Sequence, residues 1–197
     1  MIIQYLVDQP GCVDALAPEI ARHWSTILPD ETIASRTAKL RSHMNRDTLP
    51  IAWVAHTDGE AMGTASLRVF DLHGREDLSP WLGGVFVREK FRRRGVASAL
   101  CRVAENRAWE IGIQRLYLFT IDQQQLYARL GWEVFEPAMW QGINGWIMTK
   151  GHTMQGNHPL EPTTTAVTIR ADARLAPAVV VAHLVPSAQE SGAVIVK

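Results

Sequence analysis

The 197-residue sequence predicts an α/β protein, a central mixed β-sheet flanked by helices. Two observations predict it. Asp58-Gly59 separates the apolar runs "LPIAWVAH" and "AMGTASLRVF", the signature of an antiparallel hairpin. Farther along, "WLGGVFV" and "IQRLYLFT" flank a stretch with apolar residues every three or four positions, as a strand–helix–strand crossover does. Hairpins combined with a crossover call for a mixed sheet with helices on its faces.

In chain order, Ile2–Val7 reads as an opening strand. Val13, Leu16, Ile20, Trp24 and Ile27 lie at helical spacing, so 11–27 is an amphipathic helix that Pro18 is expected to kink or split. Asp30 or Thr32 caps a second helix, with Ile33, Leu40 and Met44 on one face. The hairpin follows, then a polar loop over 71–80 and the strand "WLGGVFV". A helix over 95–111 faces the core with Val96, Leu100, Val103 and Ala104 and stops at Gly112. After "IQRLYLFT", Asp122 and Gln125 form a capping-box-like start to a short helix ending at Gly131. "WEVFE" and "GWIMT" are two last strands, joined by a loop that holds Pro137, Gly142 and Gly145. Residues 1–150 therefore form one domain. Residues 151–197, rich in Ala, Val and Thr, are a C-terminal extension with no chemistry-bearing spacing.

Composition narrows the function. Twenty basic and twenty acidic residues cancel, which argues against general nucleic-acid or membrane binding. No uncharged run reaches the roughly 18 residues needed to cross a bilayer. The N-terminus lacks a basic n-region, so a cytoplasmic location is expected. Cys12 and Cys101 form neither a disulfide framework nor a metal spacing, and the seven histidines show no HExxH, so no metal is expected.

The chemistry concentrates in "GGVFVREKFRRRGVASALCRVAEN". Arg92, Arg93 and Arg94 stand where a strand hands over to a helix, and like charges repel. A helix start offers unpaired N–H groups and the positive end of its dipole. Gly95 lets backbone approach a ligand closely, and Ala97 is nearly as small. Together they make an anion site of the phosphate-cradling kind, where a polyanion relieves the arginines' repulsion.

This segment resembles the GNAT family, the Gcn5-related N-acetyltransferases that use acetyl-CoA. The family's form V-x-P-x-[YF]-[RQ]-x-x-G-x-[GA]-x-x-L is matched by Val87 to Leu100, with Glu89 where Pro is commoner and Ala97 at the second small position. A second block, "LYLFTIDQQQLYARLGW", is similar to the family's L-x-L-x-T…FY-x-x-LGW, with Tyr127, Leu130, Gly131 and Trp132 in register. The resemblance spans about residues 1–150.

The resemblance implies the acyl-CoA N-acyltransferase fold, with two central parallel strands, here 81–87 and 114–120, splayed apart. It implies that backbone N–H groups of Arg93, Arg94, Gly95, Val96, Ala97 and Ser98 hold the diphosphate, with Arg92 opening the motif. Val85, Phe86 and Val87 would pair with the pantetheine arm like an added strand, and an N–H near Val87 would polarise the thioester carbonyl. Tyr127 would donate to the departing thiolate. Asp71, Glu76, Asp77 and Asp122 are candidate bases, because the strand over 114–120 carries Phe119 and Thr120 where some members have Glu. His23, Trp24, Trp140 and Trp146 would line the acceptor pocket.

The expected activity is acetyl transfer from acetyl-CoA, as co-substrate, to a primary amine in a ternary complex. The acceptor is a small molecule or a peptide, with no nucleic-acid or membrane partner and with room for a homodimer. The alternative is a non-catalytic acyl-CoA-binding module whose C-terminal extension contacts a partner. A nucleic-acid patch over Arg88–Arg94 is a weaker reading, disfavoured by zero net charge and the lack of a stacking motif.

Overall fold

The Asp58-Gly59 turn has both residues at positive φ (47° and 78°), which suits a tight hairpin between twisted strands. It joins β2 (Ile51–Thr57) to β3 (Glu60–Arg68), the hairpin on which the sheet is built. The computed structural model describes residues 1–152. The other elements are β1 (Ile2–Tyr5), α1 (Cys12–Trp24), α2 (Ile33–Ser42), β4 (Trp81–Val87), α3 (Val96–Glu110), β5 (Arg115–Thr120), α4 (Gln124–Ala128), β6 (Glu133–Trp140) and β7 (Ile143–Gly151). The seven strands form one sheet in the order β1-β2-β3-β4-β5-β7-β6. Every neighbouring pair is antiparallel except β4 and β5, which run parallel. The expected mixed sheet with flanking helices is therefore present.

Strand β2 shows why the sheet is covered on both sides. Its side chains alternate with period two. Ile51, Trp53 and Ala55 join a core with Leu100, Cys101, Ala104 and Ala108 of α3. Ala52 and Val54 join a second core with Val13, Leu16 and Ile20 of α1 and Leu40 of α2. A strand buried on both faces reads as a continuous apolar run, as "IAWVA" does.

Several local expectations are corrected. The opening strand stops at Tyr5, because Leu6–Asp8 tightens into a 3-10 turn. Helix α1 runs through Pro18 without a break; Val13, Leu16, Ala17 and Ile20, buried along its length, hold it across the one missing N–H donor. Thr32, not Asp30, caps α2, in a reciprocal capping box with Ser35 at 3.0 Å in each direction. Ile33 is 54% exposed, because the buried face of α2 is set by Arg36 and Leu40. The Asp122–Gln125 box does not form. Instead Thr120 Oγ1 accepts from Gln123 N–H at 3.0 Å, and α4 covers five residues.

The last two strands are longer than expected, with Pro137 and Gly145 inside them and the turn at Gln141-Gly142. Pro137 is tolerated because β6 is an edge strand. A Cβ at Gly145 would lie 2.5 Å from Phe119 Cζ and 2.6 Å from Thr120 O, so glycine lets β7 close on β5. Strand β7 reaches Gly151, and His152 N–H donates to Gln114 O at 2.9 Å. The extension expected from there to 197 lies outside the described residues.

Candidate active site

A wedge opens in the middle of the sheet. Strands β4 and β5 pair at Trp81–Tyr117, where Tyr117 N–H donates to Pro80 O at 3.1 Å, and no pairing continues beyond. The cause is visible in β4. Ser66 pairs with Gly83 and Thr64 with Phe86, so Gly84 and Val85 together face Ala65 in a bulge. Gly84 takes φ 59°, which an L side chain resists, and a Cβ there would overlap the Arg68 guanidinium. This is the splay expected of strands 81–87 and 114–120.

A cavity of about 980 Å³ occupies the wedge and runs to the start of α3. Of the residues expected to bind the cofactor, Val85, Phe86 and Val87 of the strand and Arg92, Arg93, Gly95, Val96, Ala97 and Ser98 of the anion site line it. Arg94 does not; its guanidinium lies 5.8 Å from the Phe91 ring centroid. The arginine triplet thus fans out. Arg92 Nε donates to Val87 O at 3.1 Å, Arg93 sits at φ 60°, and Arg94 turns onto Phe91. Phe91 is buried and pins the turn.

Gly95, at φ 77°, precedes α3, and no side chain caps the helix. The first-turn N–H groups are left for a ligand. A Cβ at Gly95 would meet nothing within 4 Å. Positive φ at Arg93 and Gly95 brackets a concave backbone turn of the kind that takes anions. A diphosphate fits this junction by charge, by open space and by donor supply.

Tyr127 lines the same cavity, is buried, and stands edge-on to Trp132 with centroids 6.3 Å apart. Burial, then the neighbouring Cys101, Asp71 and Asp122, push its phenol above the ordinary range. Its hydroxyl is thereby kept in the protonated form, which is able to donate a hydrogen bond. Cys101, fully buried in α3, has its thiol pushed up to about 12, first by burial and then by Glu105, so it is no nucleophile. Glu105 is itself buried, and accepts from Trp132 Nε1 at 2.7 Å and Lys150 Nζ at 2.6 Å. It ties α3 to the segment beside Tyr127.

The candidate bases separate. Asp71 and Asp122 line the cavity, whereas Glu76 and Asp77 do not. Glu76 accepts from Gly74 N–H, and Asp77 from Arg75. Asp71 is ion-paired with Arg68 and lies against Gly83, where a Cβ would come within 2.5 Å of its Oδ2. Of the predicted pocket walls, His23, Trp24 and Trp140 line the cavity, with Trp24 and Trp140 in a 5.6 Å edge contact. Trp146 is absent from it and is 38% exposed. Burial, then Arg92, lowers the His23 pKa, against a smaller opposing pull from Asp122.

Sequence reasoning missed Arg36, Lys39, His43 and Arg68, which also line the cavity. The signal was there: Arg36 and Lys39 fall at i and i+3 on α2, and His43, the residue that ends it, continues the spacing at i+7. Burial pushes His43 down to about 3, reinforced by Arg68, Lys39 and Arg36. Among the described residues, no cluster of three His, Cys, Asp or Glu side chains is placed to hold a metal, and no helix is long and apolar enough to cross a membrane.

The model of the acetyltransferase (GNAT) family matches residues 14–132. Solved structures share the fold. An aminoglycoside 6'-acetyltransferase type Ii superposes with TM-score 0.59 at 20% identity, covering 77% of this chain and 97% of that one. A ribosomal-protein-alanine N-acetyltransferase from Brucella melitensis gives 0.58 at 18% identity, covering 77% and 100%. An aminoglycoside 6'-N-acetyltransferase complexed with coenzyme A gives 0.56 at 17% identity, covering 77% and 97%.

Proposed function

The chain belongs to the acetyltransferase (GNAT) family, and from that premise we propose that it moves an acetyl group from acetyl-CoA to a primary amine by direct attack in a ternary complex. The observation that carries this reading is the wedge between β4 and β5, continuous with the uncapped start of α3. In this proposal the diphosphate takes the N–H groups from Arg93 to Ser98, Arg94 included, and the charges of Arg92 and Arg93. The pantetheine arm lies along Val85–Val87, whose unpaired edge supplies strand-like hydrogen bonds. The N–H near Val87 meets the oxyanion as the carbonyl becomes tetrahedral.

The neutral amine attacks the thioester carbonyl carbon. The C–N bond forms, the C–S bond breaks, and the departing thiolate accepts a hydrogen bond or proton from Tyr127. The proton lost by the amine passes toward Asp71 or Asp122, directly or through water. The phenol's raised pKa favours hydrogen bonding over full transfer.

Two measurements test the reading together. Coenzyme A at millimolar concentration raises the melting temperature of the parent, and Gly95→Glu, which puts a carboxylate into the open space of the turn, abolishes that rise. Free thiol is released from acetyl-CoA when a panel of primary amines is added. A coenzyme A shift without thiol release from any amine would replace this proposal with the non-catalytic acyl-CoA-binding module. No shift in the parent would remove both.

A further inference from the structure

The cavity has two cationic ends. One is the Arg92–Arg93 turn at the start of α3. The other is built from Arg36 and Lys39 of α2, the C-cap His43 and Arg68 of β3. The first suffices for a diphosphate, and the second is left without an occupant.

The second end is not neutralised from within. Arg36 is ion-paired with Glu31, and Arg68 with Asp71. Lys39 faces Arg68, Asp71, Arg36 and Glu31, yet its ammonium has no ion-pair partner among the described residues. Arg68 spends Nε on Ser66 Oγ at 2.8 Å and Nη1 on Asp71. Its Nη2 lies against Gly84 and has no acceptor among the described residues. The same cations help hold His43 neutral. Arg36 and His43 are buried while Lys39 is exposed, so the surplus positive charge stands where solvent and a ligand can reach it, and it favours an anion.

Its position relates it to the chemistry. Arg68 and Asp71 abut Gly84 and Gly83 of β4, one to three residues from the Val85–Phe86 edge proposed to carry the acyl arm. An anionic group bound here lies close to the attacking amine. The cavity wall also carries four aromatic side chains, Trp24, Phe86, Phe119 and Trp140.

We infer that Lys39, Arg68 and His43 form an anion subsite for a carboxylate carried by the amine acceptor, so that the acceptor is an amino-acid-type molecule rather than a polycationic amine. Lys39 and the free Arg68 donors meet the carboxylate, and His43 adds a neutral N–H. The inference rests on the acetyltransferase reading above, and its test separates the two.

Binding is read without turnover. N-acetyl-leucine, N-acetyl-phenylalanine and N-acetyl-methionine are titrated into the full chain with coenzyme A present, against the same three as uncharged primary amides, following the intrinsic fluorescence of the seven tryptophans, of which Trp24 and Trp140 line the cavity. The acids saturate with affinities about tenfold or more above the amides. Lys39→Gln removes most of that difference and Lys39→Glu reverses it, while the coenzyme A melting shift is retained in both. Turnover is read in parallel as thiol release with leucine, phenylalanine and methionine against their decarboxylated amines, and follows the same order. Acid binding without turnover would leave the subsite standing and overturn the proposed reaction. Turnover that ignores the carboxylate, equal binding of acids and amides, no saturable response to either, or an unchanged preference in Lys39→Gln would each overturn the subsite.

Discussion

Replacing Tyr127 by Phe removes one oxygen from the cavity wall and leaves the ring against Trp132. A phenol ordinarily near 10 and a thiol near 8.5 already put complete proton transfer uphill by about 2 kcal/mol. Burial and the facing Cys101, Asp71 and Asp122 raise the phenol further, so the uphill step grows. Transfer is then incomplete, and the hydroxyl stabilises the leaving thiolate as a hydrogen-bond donor. A hydrogen bond to a charged partner contributes about 1.5–3 kcal/mol. The substitution should lower kcat by about 10- to 150-fold, with the KM for acetyl-CoA within about twofold. Stopped assays of thiol release at saturating amine measure this. The melting temperature should hold, because the packing ring is kept. The parent's kcat should also show no alkaline decline through pH 10 that Tyr127→Phe removes, since the phenol titrates above that range. An unchanged kcat, a loss beyond about 10⁴-fold, or an effect confined to KM would refute the role assigned to the hydroxyl.

The remaining predictions concern the scaffold. Glu105→Gln keeps an acceptor for Trp132 Nε1 but leaves the Lys150 ammonium, 22% exposed at the side chain, without its carboxylate. It should lower the unfolding free energy by about 2–4 kcal/mol in urea titrations, and Glu105→Gln with Lys150→Met should recover more than half; a loss under about 0.5 kcal/mol would contradict the assignment. His43, buried and held down to about 3, binds fewer protons in the folded chain than in the unfolded one. Its contribution to stability is thus full above its unfolded pKa, near 6.5, and is lost as pH falls from there toward about 3. His43→Gln should make the urea midpoint less pH-dependent across that window, with a residual slope from His23, whose pKa is lowered as well. An equal slope in parent and variant would count against a buried neutral His43.

Much of the architecture could be read because it follows from short-range rules. The Asp-Gly turn, the apolar runs and Gly112 after the long helix each act within a few residues. The misreadings were also local rules, overridden by contacts. Pro18 does not break α1, because the buried face of that helix holds it together. Gly145 and Pro137 look like loop residues, yet one sits where Phe119 crowds β7 and the other on an edge strand with free donor positions.

The linear chain specifies the strand-to-helix junction and its crowd of arginines. Segment 87–100 is contiguous, and glycine, charge and helix start act on one another along the chain. It also determined the placing of Tyr127 five residues before Trp132, a helical turn and a glycine apart. The parting of β4 and β5 was implied by the family resemblance, but its cause is visible only in the fold, since the bulge that parts them depends on register with β3. Folding alone brings Lys39 of α2 and its C-cap His43 to the same cavity wall as Arg68 of β3 and the loop residue Asp71. Charges some thirty residues apart in the chain acquire a common field only when folding brings them to one cavity.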